Sequence, residues 1–197
     1  MGCVVTFHHR ISQDRLTAAM APQTSDAFHA LLESALAETT QAAIGGQDVE
    51  IELTLCGDEE MTHLNFDHMG ERSPTDVLAF PLHEWSVDMG HSHLAEDDGG
   101  MPPGGLLLGD IVIDVDQAVR QAVEGGWSPA QEIALLAVHG ALHLVGHDHV
   151  EAEDEAGMRA IERRVLAHLH KRHSDVGWRP GSLFDRPSHA VSVGAQG

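Results

Sequence analysis

At 197 residues and 42% hydrophobic composition, the chain is sized for one compact domain with its own core. A formal charge of −20 argues against a broadly basic nucleic-acid-binding surface, and no stretch approaches the roughly 20 apolar residues of a membrane helix. Cys3 and Cys56 stand far apart with no second cysteine beside either, which suggests neither a disulfide framework nor a cysteine-based zinc knuckle.

The chain opens MGCVVTFHHR, with no basic n-region and no long apolar h-region. No signal peptide is therefore expected, and a cytoplasmic location without membrane attachment is the expectation. Residues 1–24 are mixed and polar and read as a partly flexible N-terminal segment. Ser25 can cap a helix whose Ala27, Leu31, Leu32, Ala35, Leu36 and Ala43 recur at helical spacing until Gly45-Gly46. Residues 49–55 alternate apolar and acidic side chains, the pattern of a strand with one face in water. Asp58 can cap a short helix carrying Met61, Leu64 and Asn65. After Pro74-Thr75-Asp76 comes a second strand over 77–82, which Pro81 places at an edge or an end.

Residues 83–105 are acidic, histidine-dotted and rich in Gly and Pro, and read as a long loop. His91 and His93 within it are either solvated or able to touch a metal. Residues 106–115 form a nearly continuous apolar run, as a central strand would. A helix is expected from Asp116 to Glu124, closed by Gly125-Gly126. Ser128-Pro129 then starts another, which carries Ile133, Leu135, Leu136, Val138, Leu142 and Leu144 as far as Gly146. A last helix is expected over 151–173, and a disordered Gly/Ser/Pro-rich tail over 177–197. Strands interleaved with helices predict an α/β (α+β) fold, a small mixed sheet with helices packed on it, in a single domain over 25–176. The last helix collects Arg159, Arg163, Arg164, Lys171 and Arg172 around one acid, Glu162. Two readings stay open for it: a solvated helix with cations near its C-terminal end, or a docking surface for RNA or the ribosome.

The chemistry concentrates in HGALHLVGHDH, residues 139–149. Residues four apart on a helix lie one above the other, so His139 and His143 point the same way at metal-binding separation. Gly146 can end that helix in a left-handed turn and swing His149 back to complete a three-nitrogen face. Three protein ligands leave the fourth position of a tetrahedral zinc open, which is the catalytic arrangement. Metzincin proteases share the spacing, but there the residue after the first histidine is the glutamate base. Here it is Gly140, which cannot take a proton.

With PTDVLAFP (74–81), LGDIVID (108–114) and this histidine segment followed by Met158, the chain resembles the YbeY family of bacterial endoribonucleases over roughly residues 48–170. The resemblance implies one zinc ion on His139, His143 and His149. It also implies single-strand-specific RNA cleavage in 16S ribosomal RNA 3′-end maturation and ribosome quality control. The implied partners are ribosomal RNA and the ribosome or its small-subunit assembly components. Met158 would lie beneath the metal or simply fill core. The family's arginine after the "LN" helix is replaced by Met69, and Arg72 is the nearby candidate to pair with phosphate. Thr75 and Asp76 would line the cleft, although Asp76 suits a turn or cap equally well. Asp148 would orient a ligand or cap the turn. The alternatives are a zinc metallopeptidase, which Gly140 opposes, and a non-catalytic zinc-binding ribosome assembly factor.

Overall fold

A computed structural model describes residues 2–21, 23–88, 91–94, 105–148, 152–173 and 192–193, with only the backbone of 152–154 and 192–193. In chain order the elements are β1 (Cys3–His9), α1 (Gln13–Met20), α2 (Ser25–Ile44), β2 (Val49–Cys56), α3 (Asp58–Met69) and β3 (Val77–Pro81). They continue as β4 (Trp85–Asp88), β5 (His91–Leu94), β6 (Leu106–Asp114), α4 (Val115–Gly125), α5 (Pro129–Leu144), α6 (Ala152–Arg172) and β7 (Ser192–Val193). The main sheet runs β1-β2-β6-β3-β7. β1, β2 and β6 are parallel, β3 is antiparallel to β6, and β7 is parallel to β3. The expected α+β fold with a small mixed sheet is the fold observed.

The core explains the layering. α2 and α5 pack on one face of the sheet, with α6 against both. Phe28, Leu31, Leu32 and Leu36 of α2 share that buried cluster with Ile51 and Leu53 of β2 and Ile133, Leu136 and Val138 of α5. A second, smaller cluster of Cys56, Met61, Leu78 and Val112 joins α3 to the sheet, and Leu64, Met69 and Phe80 pack against it. β6 is central, as its apolar run requires. Its register against β2 slips between Glu50 and Ile51, next to Gly109 at φ 142°. A Cβ on Gly109 would fall 2.1 Å from the Phe80 carbonyl oxygen, so β3 approaches β6 this closely only because the residue is glycine.

Several expectations need correction. Residues 3–9 are not part of a loose N-terminal segment: each pairs with a residue of β2, and α1 buries Leu16, Ala19 and Met20. The mixed composition misled because β1 is an edge strand in which exposed Val4, Thr6 and His9 interleave with half-buried positions. Thr24, not Ser25, caps α2 through its hydroxyl. Gly57, not Asp58, is the cap residue of α3, and Asp114 caps α4, which starts one residue earlier than expected. The acidic loop contains the β4–β5 hairpin, and residues 95–104 lie outside the described residues. Within the tail expected to be disordered, Ser192–Val193 pairs with Leu78 and Ala79; the rest of 177–197 lies outside the described residues. That strand covers β3, so Pro81 marks a strand end and not a sheet edge. Among the described residues, no helix is long and apolar enough to cross a membrane.

Candidate metal centre

The start of α5 is over-determined locally. Ser128 accepts from the Gln131 backbone N–H, Gln131 answers by accepting from the Ser128 N–H at 2.8 Å, and Pro129 occupies the first turn. Every residue from Ala130 to Leu144 is buried, so the helix runs through the interior and not along a surface. His139 and His143 stand one turn apart on it, with ring centroids 4.8 Å apart and rings edge-on. The helix ends as expected: Gly146 adopts φ 84°, His147 N–H bonds to Leu142 C=O at 3.0 Å, and Gly146 N–H bonds to His143 C=O at 3.2 Å. Trp85 of β4 seals this turn; a Cβ on Gly146 would lie 2.6 Å from the Trp85 Cβ. His149, the third ligand expected from the sequence, lies outside the described residues.

A residue that the sequence did not single out lies behind the pair. Glu162 of α6 approaches His139 Nδ1 with Oε1 at 2.5 Å, and both side chains are buried. A carboxylate only accepts, so Nδ1 is the donor in this contact and Nε2 is the nitrogen left for a metal. Two buried imidazoles one turn apart, one of them held by a carboxylate in this way, fit a divalent metal ion in donor chemistry. In sequence, Glu162 was only the acid among the arginines of α6. Its place four residues after Met158 puts both on one face of that helix, but the contact to His139 spans 23 positions. Met158 is buried in the main core cluster. The turn also buries His147, a third histidine that the sequence reading passed over.

Gly140 has a spatial role as well as a chemical one. A Cβ there would meet Ile111 Cγ2 at 2.9 Å and Val77 Cγ2 at 3.4 Å, so this side of α5 lies flat on β6 and β3. The position holding the base in metzincins therefore faces the sheet and has no room for a side chain.

The other expected site residues sit as follows. Arg72 stacks over the Phe66 ring, its guanidinium carbon 4.5 Å from the centroid. Met69 packs into the smaller core cluster. Asp76 is buried at the start of β3, where Oδ1 accepts from the Val77 N–H at 2.9 Å and Oδ2 accepts from the Gln121 side chain at 2.8 Å. The Thr75 hydroxyl lies 3.5 Å from the same Oδ1. Asp148 is exposed, immediately after the Gly146 turn. On α6, Arg159 bonds Glu155 at 3.0 Å and Arg172 bonds Glu38 at 3.2 Å. His91 and His93 are exposed on β5.

A second group of metal-ligating side chains gathers at the carboxyl end of β6. Ligand oxygens of Asp58, Asp114 and Asp116 lie within 4.8 Å of one another. Two arginines already occupy it: Arg120 forks onto Asp58 at 2.9 and 2.6 Å, and Arg15 pairs with Asp116. Hydrogen bonding to Arg120 holds the Asp58 carboxyl below the usual range. Burial, and after it a hydrogen bond with Asp58, pushes Asp114 up to about 7.

A mixed sheet carrying a buried helix with two edge-on imidazoles one turn apart, one of them backed by a carboxylate, defines an α+β protein with a candidate histidine-based metal centre. A family model described as "Endoribonuclease YbeY" matches residues 14–170. Curated proteins named Endoribonuclease YbeY are similar as well: that of Heliobacterium modesticaldum is 38% identical over 157 residues, covering 79% of this chain and 92% of the relative. That of Moorella thermoacetica is 44% identical over 140 residues, covering 69% and 85%. The solution structure of TM1509 from Thermotoga maritima shares the fold at 23% identity and TM-score 0.52, covering 89% of this chain and 99% of that one. The chain belongs to the YbeY family of endoribonucleases and is an RNA-cleaving hydrolase.

Proposed function

We propose that the chain cuts single-stranded RNA using one zinc ion held by His139, His143 and His149, and that its substrate is the 3′ end of precursor 16S ribosomal RNA. Ribosome quality control, contact with small-subunit assembly components and a cytoplasmic location belong to the same reading. The observation that carries it is the buried His139–His143 pair, set one helical turn apart with Glu162 on His139 Nδ1. When bound, the metal supplies a Lewis acid that polarises a water or phosphate oxygen and stabilises charge developing at phosphorus.

The rest falls to side chains. Arg72, stacked on Phe66, offers a planar fork to a phosphate, in place of the arginine that Met69 replaces. Asp76, tied to Val77 and Gln121, holds the start of β3 in place, so that Thr75 and this turn line the cleft. Asp148 orients the turn leading to His149. Cations of α6 meet the RNA backbone locally, which reconciles RNA binding with a net charge of −20.

The test is incubation with structured ribosomal RNA carrying a single-stranded 3′ extension, using wild type and His143→Ala, each with and without chelator. Cleavage by wild type alone, abolished by chelator, is expected. Cleavage that survives both mutation and chelation overturns the metal mechanism. RNA binding without cleavage by the metal-loaded wild type overturns the proposed substrate.

A further inference from the structure

We infer that Glu162 is a positioning residue of the metal centre, holding His139 through Nδ1 so that Nε2 is aimed at the cation. The inference rests on the metal-binding reading above and goes beyond it by assigning a role to a residue on a different helix. The contact is short, 2.5 Å, and both side chains are buried. A buried carboxylate is costly to desolvate unless it is hydrogen-bonded and its charge is balanced. The His139 N–H meets the first need, and a cation across the ring meets the second. The same bond fixes the tautomer and raises the basicity of Nε2.

α5 supplies an internal control. Glu132 is also fully buried, and its Oε2 accepts from the Trp127 indole N–H at 2.5 Å. Glu132 and Glu162 are thus two buried carboxylates of like chemistry, of which one is wired to a ligand and the other to a tryptophan. On α6, Arg159, one turn before Glu162 begins, is committed to Glu155.

The experiment measures zinc affinity by chelator competition at pH 7 for wild type, Glu162→Gln, Glu162→Ala, Glu132→Gln and His143→Ala, with the melting temperature of each metal-free protein alongside. Glu162→Gln keeps the shape and an acceptor oxygen but loses the charge, and about 10-fold weaker binding is expected; Glu162→Ala should approach about 100-fold. Glu132→Gln should lower the metal-free melting temperature while leaving zinc affinity as in wild type. Wild-type affinity in Glu162→Gln overturns the inference, as does an equal loss in Glu132→Gln, which would mark a merely structural effect. Wild-type affinity in His143→Ala overturns the metal reading itself and is recognisably a different failure.

Discussion

The histidine pair of α5 and the aspartate triad at the end of β6 both gather metal-ligating residue types, yet they are built for opposite outcomes. Around the triad, two guanidiniums already neutralise Asp58 and Asp116, and burial together with Asp58 raises Asp114 to about 7. Beside His139 the charged partner is an anion, Glu162, placed behind the ring. Positive charge is thus built into the first region and called for in the second. Residue type alone does not separate a metal centre from an ion-pair network; the sign of the surrounding charge does.

The widest split between the two regions is expected on removing one ligand type from each. His143→Ala should lower zinc affinity on the order of 100-fold or more, whereas Asp58→Asn should leave metal content unchanged, both read by metal analysis after dialysis against a weak chelator. Equal losses would erase the distinction.

Next in size is a test of the packing that separates this site from a peptidase. Gly140→Glu places a charged side chain against Ile111 and Val77 and should cost about 3 kcal/mol or more by urea denaturation, without producing activity on casein. A stable variant that releases peptides would show that the site was one residue short of a protease.

A smaller effect, with a defined pH course, belongs to Asp114. Its folded value of about 7 lies above the ordinary 3.8, so its contribution to stability is complete below about pH 4 and is lost as pH rises through 7. Asp114→Asn keeps the acceptor that caps Asp116 and Gln117, and should gain on wild type between pH 5 and pH 8, seen as a rising difference in urea midpoints. A difference that stays flat over that range would mean the group is ionised throughout. Smallest is Arg120→Gln, expected to cost under about 1 kcal/mol because the Arg120–Asp58 pair is close to half exposed. If this variant acquires a magnesium-dependent rise in melting temperature that wild type lacks, the guanidinium is what keeps cations out of the triad.

The amino-acid sequence by itself determined α5 and its pair of histidines one turn apart. The Ser128–Gln131 cap, Pro129, the four-residue histidine spacing and the Gly146 stop all act within one or two turns, where propensity and backbone geometry decide. The central place of β6 was legible too, because a strand largely buried on both faces carries a nearly continuous apolar run. Tertiary structure decided the rest. β1 is a strand only because β2 pairs with it residue by residue, and the two-residue β7 only because β3 does. The Glu162–His139 contact joins side chains 23 positions apart on different helices; Arg15 reaches Asp116 across 101 positions and Arg120 reaches Asp58 across 62. Contacts between elements depend on how the elements are docked, and no local pattern of residues encodes that.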